Sequence, residues 1–152
     1  MSAFRWGILG TGGIAQAFAR DLAYLDDHVV AAVGSRSQAS ADKFKSEFPS
    51  ATAVGSYVDL VESEVDAIYV ASPHPMHEEH AMLALKAGKP VLCEKAFTIN
   101  AQQAENLITY SRDNKLALME AMWTRFLPHI HQIQSIIASG TLGQIETVIA
   151  DH

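Results

Sequence analysis

The beginning of the chain alternates short apolar runs with longer segments whose apolar residues recur at helical spacing. Phe4–Leu9 is an apolar-rich run that predicts a strand. The next apolar residues, Ile14, Phe18 and Leu22, predict a helix because they fall on one helical face. Residues 28–33 then form a nearly continuous run of valine and alanine, which predicts a strand buried on both faces of a parallel sheet.

The same alternation continues to about residue 121. Further strands are predicted at residues 51–54, 66–70, 91–93 and 116–119, with a short segment at 58–63. Helices are predicted at 38–48, after Pro73 and Pro75 to about 87, and at 100–113. Strands that alternate with helices imply parallel strands joined by right-handed crossovers. The pattern therefore predicts an α/β fold with a doubly wound parallel sheet, the Rossmann architecture, as a dinucleotide-binding domain over residues 1–121.

Residues 122–152 follow a different pattern. Ile130, Ile133, Ile136 and Ile137 lie at helical spacing, and residues 144–150 alternate as a strand with one polar face. A single strand has neither a pairing partner nor a core of its own. We therefore expect residues 122–152 to be the first helix and strand of a second, mostly missing α/β domain, and the sequence to be the front portion of a longer protein.

Composition and charge exclude several classes of partner. The chain has 152 residues and a formal charge of −6, and its 11 lysines and arginines are scattered, whereas a nucleic-acid partner requires a basic stripe. No apolar run approaches the length that a membrane span requires, so no membrane partner is expected. The single cysteine, Cys93, cannot form an intrachain disulfide, which favours a cytoplasmic location.

A glycine-rich loop connects the first predicted strand to the first predicted helix. It fits the pattern G-x-G-x-x-A with the residues Gly10, Thr11, Gly12, Gly13, Ile14 and Ala15. In a dinucleotide site the first glycine makes a tight turn, the second lets the backbone approach a pyrophosphate, and the small third residue allows close helix packing. Because the loop lies in the required strand-to-helix context, it predicts dinucleotide binding.

The end of the second predicted strand favours NADP over NAD. An NAD site usually carries an acidic residue there, but this strand is followed by Ser35, Arg36 and Ser37. The Arg36 guanidinium can pair with a 2′-phosphate, and the two serines can donate hydrogen bonds to it. The alternative is that Arg36 is an ordinary solvated residue before the next helix.

Three histidines follow the strand predicted at 66–70. Ligands of open α/β sheets lie outside the carboxyl ends of the strands, so Ser72, His74 and His77 are candidates for cofactor contacts. A metal site with His80 is not favoured, because no HExxH motif or suitably spaced cysteine pair or carboxylate completes it. We expect His74 and His77 to face the nicotinamide half or cap the helix, and His80 to lie at the surface. Structural roles for all three stay open.

Glu94 and Lys95 directly follow the strand predicted at 91–93. At the carboxyl end of a strand, a lysine can donate a hydrogen bond to a reacting hydroxyl or assist proton transfer, and Glu94 can hold this lysine or a ribose hydroxyl. Taken alone, the pair favours a solvated ion pair in a loop over a catalytic role.

The combination of these motifs resembles the Gfo/Idh/MocA oxidoreductase family over essentially the whole chain. The similar segments are the glycine loop, Ser35-Arg36, residues 72–77, and residues 87–95, in this order. Residues 120–128, EAMWTRFLP, resemble the branch of dimeric dihydrodiol dehydrogenases and NADP-dependent D-xylose dehydrogenases. The family usually has proline after the lysine, whereas this sequence has Ala96, so neither a fixed φ nor a cis peptide bond can be assumed there.

The resemblance implies a two-domain enzyme whose second domain binds substrate and mediates homo-oligomerisation. Lys95 would orient or polarise the substrate hydroxyl, and Glu94 would stand near the nicotinamide ribose. Trp123 and Arg125 would lie at the domain junction near the nicotinamide and substrate. The acid/base partner of Lys95, typically a tyrosine, would belong to the second domain.

The resemblance predicts hydride transfer between NADP and a hydroxyl-bearing carbon of a sugar or cyclic diol. We expect the 152-residue chain alone to bind cofactor at best, without catalysis. The alternative function is a non-catalytic nucleotide-binding or regulatory Rossmann protein.

Overall fold

A computed structural model describes residues 2–149 of the chain. By its internal contacts the chain divides into two compact units, Met1–Ala121 and Met122–His152. The first unit contains the whole sheet and its core. The described part of the second unit, up to residue 149, contains a 3₁₀ turn, an α-helix and the segments next to them.

The first unit is built on six strands that pair only in parallel. They are β1 (Phe4–Leu9), β2 (His28–Gly34), β3 (Thr52–Val54), β4 (Ala67–Val70), β5 (Val91–Cys93) and β6 (Leu118–Glu120). Their order in the sheet is β3-β2-β1-β4-β5-β6, so the direction of winding reverses between β1 and β4. This order confirms the prediction of a doubly wound Rossmann sheet, and it places the ligand crevice of such sheets at the carboxyl ends of β1 and β4.

Five helices connect the strands. They are α1 (Gly13–Leu22), α2 (Gln38–Glu47), α3 (Tyr57–Glu62), α4 (His77–Lys86) and α5 (Ala101–Asp113). The side chains of Ser37, Ser56 and Asn100 accept hydrogen bonds from the third residue after them, so the local sequence fixes where α2, α3 and α5 begin. Among residues 2–149, no helix is both long and apolar enough to cross a membrane.

The core lies in two layers, one on each face of the sheet. Successive strand residues point to opposite faces, so Ile8 and Tyr69 pack with α1 and α2, whereas Leu9 and Val70 pack with α3, α4 and α5. These four side chains are almost completely buried. The continuous apolar runs of the sequence follow from this burial on both faces.

The second unit begins with a 3₁₀ turn at Trp123–Phe126, and α6 (Pro128–Ala138) follows it. The prediction of a helix around Ile130 is therefore confirmed, but the predicted strand at 144–150 is wrong where it can be checked. Residues 144–149 form no strand, and residue 150 lies outside the described residues. A strand requires a neighbour for its N–H and C=O groups, and the described part of this unit offers none.

We predict that Cys93 does not react with iodoacetamide while the chain is folded. The thiol is fully buried, and this burial raises its pKa from an ordinary 9.0 to about 12, so the reactive thiolate is scarce near neutral pH. Intact mass after treatment at about pH 8 should show no adduct in buffer and one adduct in urea. Rapid alkylation of the folded chain would contradict the burial of β5.

The same pKa difference has a consequence for stability. Because the unfolded chain loses the thiol proton before the folded chain does, the free energy of unfolding should fall as the pH rises from about 9 towards 12.

Candidate functional site

The turn after β1 depends on Gly10. This residue has a φ of +112°, and a Cβ atom built on it would lie 2.8 Å from the carbonyl oxygen of Ala71, at the end of β4. Its N–H group donates a hydrogen bond of 3.0 Å to the carbonyl of Gly34, at the end of β2. The protein's own backbone therefore requires glycine here, whether or not a ligand is bound.

Unlike Gly10, Gly12 and Gly13 are not required to be glycine by contacts within the protein. A Cβ atom on either residue would meet no protein atom within 4 Å, so the fold itself leaves this space open. Gly12 caps α1 without a side-chain hydrogen bond, and the first turn of α1 carries no acidic residue. The N–H groups at the start of α1 are thus available to an anion that approaches the glycines closely, as a pyrophosphate does.

The rest of the loop enters α1. Ile14 is half exposed at the first turn, whereas Ala15 is completely buried against the sheet. A small residue at position 15 therefore lets α1 pack closely on the strands, as the motif predicts.

A cleft of about 660 Å³ opens at the carboxyl ends of β1, β2 and β4. It brings together six of the residues predicted to bind cofactor, namely Gly10, Thr11, Gly12, Ser35, Arg36 and Ser72. These residues come from three separate strand ends, and the parallel sheet places them side by side.

The wall of this cleft after β2 is suited to a phosphate. Ser35 is buried and its N–H donates to the carbonyl of Val54, so the backbone here is fixed. The side chain of Arg36 is exposed and has no carboxylate within 4 Å among residues 2–149. The Ser37 hydroxyl donates to the Ser40 hydroxyl at 2.9 Å, which leaves the Ser40 proton free for another acceptor.

Four residues of the cleft were not predicted from the sequence, and two of them, Ser40 and Tyr57, have polar side chains; the other two are Ala71 and Pro73. Tyr57 begins α3 directly after β3, so the rule that ligands lie beyond strand ends could have identified it. Ser40 lies in the first turn of α2, where its position became evident only from the Ser37 cap.

Of the histidines after β4, His77 contacts backbone carbonyl groups. His77 is only 1% exposed, and its ring nitrogens lie 2.9 Å from the carbonyl oxygen of Ala96 and 3.0 Å from that of Ser72. Both nitrogens therefore face the protein, and the ring connects the loop after β4 to the loop after β5. His74 is exposed and contacts the His77 ring edge to face.

The prediction that His80 lies at the surface is wrong. Its side chain is buried, with Nδ1 2.8 Å from the Ser72 hydroxyl and its ring against Tyr57. The sequence pattern misplaced it because α4 turns this side chain toward Ser72 and α3. Burial lowers the pKa of His80, so the ring is neutral near pH 7. Within residues 2–149, no three His, Cys, Asp or Glu side chains are arranged to hold a metal ion.

The two charges after β5 have opposite environments. Glu94 is buried, with one carboxylate oxygen accepting from the Tyr69 hydroxyl and the other accepting from the Lys95 N–H at 3.2 Å. The Lys95 side chain is exposed, and no carboxylate lies within 4 Å of it in the part of the chain that the structure describes. Glu94 and Lys95 therefore do not form the solvated ion pair that the sequence left open.

The backbone around Lys95 is held from several elements. In addition to the hydrogen bond from the Lys95 N–H to Glu94, the Ala96 carbonyl oxygen lies 2.9 Å from Nδ1 of His77. The Phe97 N–H donates a hydrogen bond of 2.9 Å to the Glu120 carboxylate. The Lys95–Ala96 peptide bond is cis, although the residue is not proline. An exposed amine thus stands on a firmly bound loop at the carboxyl edge of the sheet.

Trp123 and Arg125 belong to the second unit. Both lie in its 3₁₀ turn with exposed side chains. Their predicted contacts with the nicotinamide and substrate stay predictions.

The family of the chain follows from its sequence as well as its fold. Residues 4–122 match the Gfo/Idh/MocA model, described as an oxidoreductase family with an NAD-binding Rossmann fold. The chain belongs to this family, which confirms the resemblance and the prediction of a nicotinamide-dinucleotide cofactor.

Named relatives are dehydrogenases. The chain is 44% identical to D-xylose 1-dehydrogenase (NADP(+)) of Hypocrea jecorina, over 97% of the chain and 41% of that protein. It is 40% identical to trans-1,2-dihydrobenzene-1,2-diol dehydrogenase of Macaca fascicularis, over 98% of the chain and 46% of the relative. The chain thus spans less than half the length of these relatives.

Two solved structures of oxidoreductases are also similar to this chain. A 3-ketoreductase from Actinomadura kijaniata, solved in complex with NADP, is 34% identical, with a TM-score of 0.85 over 95% of this chain and 46% of that chain. An NAD binding oxidoreductase from Klebsiella pneumoniae is 29% identical, with a TM-score of 0.85 over 93% of this chain and 40% of that one.

We predict that alanine lowers stability at Gly10 and cofactor affinity at Gly12. Gly10→Ala should lower the free energy of unfolding by about 1–3 kcal/mol, because the new methyl group strains a positive φ and meets the Ala71 carbonyl. Gly12→Ala should cost less than about 1 kcal/mol but weaken NADPH binding by about tenfold or more, since the methyl group enters only the open space. Urea denaturation and fluorescence titration measure the two effects. Equal loss of stability in both variants would contradict this division of roles.

Proposed function

We propose that this chain is the cofactor-binding part of an NADP-dependent dehydrogenase that acts on a hydroxyl-bearing carbon of a sugar or cyclic diol. The observation that carries the proposal is the exposed Lys95 on the same sheet edge as the open glycine loop. The substrate class is supported by the names of the relatives, a xylose dehydrogenase and dihydrodiol dehydrogenases.

The preference for NADP is supported by the cleft wall after β2. Arg36 offers a positive charge, and Ser35 and Ser40 offer hydroxyl groups next to the glycine loop, while the Ser37 hydroxyl already donates to Ser40. No acidic side chain is among the described residues that line this cleft. A 2′-phosphate would be neutralised there, whereas the ribose of NAD would lack its usual carboxylate acceptor.

In the proposed mechanism, Lys95 acts on the substrate hydroxyl. When bound, the nicotinamide supplies the hydride chemistry. The Nζ group of Lys95 donates a hydrogen bond to the reacting oxygen and polarises it, and the bound loop keeps this amine in place. The proton partner, expected to be a tyrosine, would come from the substrate domain, so the 152-residue chain alone should bind cofactor without turnover.

The other candidate residues have proposed roles around the nicotinamide half of the cofactor. We assign Glu94 to the nicotinamide ribose side and His74 to the exposed rim of the site. His77 acts through Ser72 and Ala96, because both of its ring nitrogens face their carbonyls. Trp123 and Arg125 would complete the nicotinamide and substrate side in the assembled enzyme.

Assembly and location complete the proposal. The protein would act in the cytoplasm and form a homo-oligomer through the sheet of its C-terminal domain. The alternative, a non-catalytic nucleotide-binding protein, assigns no role to Lys95, whereas the relatives named above are dehydrogenases.

We expect Arg36→Gln to weaken NADPH binding by about ten- to a hundredfold, because a charge-assisted contact with the 2′-phosphate is lost. NADH affinity should change by less than about threefold, since NADH carries no such phosphate. Arg20→Gln is the matched control, because Arg20 is an exposed residue of α1 outside the cleft. Tighter binding of NADH than of NADPH by the unmodified chain would refute the NADP assignment.

We expect Lys95→Met, in the full-length protein, to reduce kcat by at least about a hundredfold, the range typical of a lost acid/base group. The dissociation constant for NADPH should stay within about threefold, because the phosphate contacts do not involve this side chain. Lys45→Met, on an exposed position of α2, serves as the control for loss of one positive charge. Near-normal turnover of Lys95→Met would remove Lys95 from the mechanism.

A further inference from the structure

The buried tyrosine of β4 carries a polar group that the proposed mechanism does not use. Tyr69 is 1% exposed and belongs to the core layer between the sheet and α1. Its hydroxyl donates a hydrogen bond to Glu94, a residue 25 positions later in the chain. An apolar side chain of the same size would fill this place in the core, so packing alone gives no reason for the hydroxyl.

Glu94 depends on this hydroxyl. The carboxylate is 8% exposed, and a buried carboxylate is stable only when it accepts hydrogen bonds. Among the described residues, its side-chain donor is Tyr69 at Oε1, and its backbone donor is the Lys95 N–H at Oε2. A continuous chain of hydrogen bonds therefore leads from the core to the peptide group of Lys95.

Tyr69 is also fixed from the cofactor side. The Phe18 ring stacks on the Tyr69 ring, with centroids 3.9 Å apart and planes 21° apart. Phe18 lies on α1, the helix that begins at the glycine loop. The tyrosine thus contacts both the helix expected to receive the phosphates and the acid next to Lys95.

The tyrosine is a hydrogen-bond donor near neutral pH. Burial, followed by the hydrogen bond to Glu94, raises the pKa of Tyr69 far above its ordinary value. The hydroxyl is therefore protonated near neutral pH, and its proton is donated to Glu94.

We propose that Tyr69 is a positioning residue, which acts through Glu94 to hold the Lys95 peptide group in register with the phosphate-binding helix. The proposal rests on the proposed function, because it assigns Lys95 to the reaction. It adds to that function a buried residue of β4 that holds the loop carrying Lys95. Without the hydroxyl, Oε1 of Glu94 loses its hydrogen-bond donor, and we expect the carboxylate to rotate. The hydrogen bond from the Lys95 N–H to Oε2 would then be lost as well.

The test is Tyr69→Phe in the full-length protein, which keeps the stacked ring and removes only the hydroxyl. We expect kcat to fall by about tenfold or more, the loss typical of removing a hydrogen bond to a charged group, while the NADPH dissociation constant stays within about threefold. Tyr110→Phe is the matched control, because Tyr110 is a partly buried tyrosine of α5 outside the site. It should leave both constants within about twofold.

A double-mutant cycle separates positioning from general destabilisation. If Tyr69 acts through Glu94, then Tyr69→Phe changes kcat by less than about twofold when Glu94 has already been replaced by alanine. An equal decrease in both backgrounds would overturn the proposal, as would near-normal kcat of the single variant. Failure of the unmodified protein to bind NADPH or to oxidise any sugar or diol would instead overturn the proposed function.

One further measurement covers the case in which Tyr69→Phe does not fold. In the NMR spectrum of the unmodified chain, the Tyr69 hydroxyl proton should be protected from exchange, and it should lose this protection in Glu94→Ala. A hydroxyl proton that exchanges freely in the unmodified chain would refute the link between the two residues, whether or not the protein is an enzyme.

Discussion

The structure depends on the close approach of β1 and β4 at the point where the sheet reverses its winding. Gly10 turns away from β1 with its α-carbon against the carbonyl of Ala71, and no side chain larger than hydrogen fits between them. This contact aims the start of α1 at the cleft and sets Ser72 on its opposite wall. The glycine loop, the cleft and the loop after β5 all follow from the same arrangement of parallel strands.

The sequence was sufficient to predict the elements whose determinants are local. Apolar runs gave the strands, and the positions of Gly10, Gly12 and Ala15 predicted the loop, because each has a distinct steric requirement. The predicted strand at 144–150 did not form in its described part, since strand formation depends on a partner rather than on alternation alone.

The side-chain contacts of the site could not be predicted in this way. His77, His80 and Tyr69 find their partners across strands and helices, and nothing in their local spacing distinguishes a buried histidine from an exposed one. The pairing of Tyr69 with Glu94 requires the register between β4 and β5, which only the folded sheet provides. The sequence therefore predicted six residues that the fold brings into one cleft, but it missed the polar contacts that support the neighbouring loops.

The contact between Gly10 and Ala71 also joins two segments that are far apart in the chain. The glycine loop cannot take its final shape until β4 has docked beside β1, so the dinucleotide site exists only when the sheet is assembled. A ligand that binds there recognises the folded state alone, and its binding free energy adds to the free energy of unfolding by mass action. In a cell, the concentration of the cofactor would then help to set how much of this protein is folded and how long it survives proteolysis.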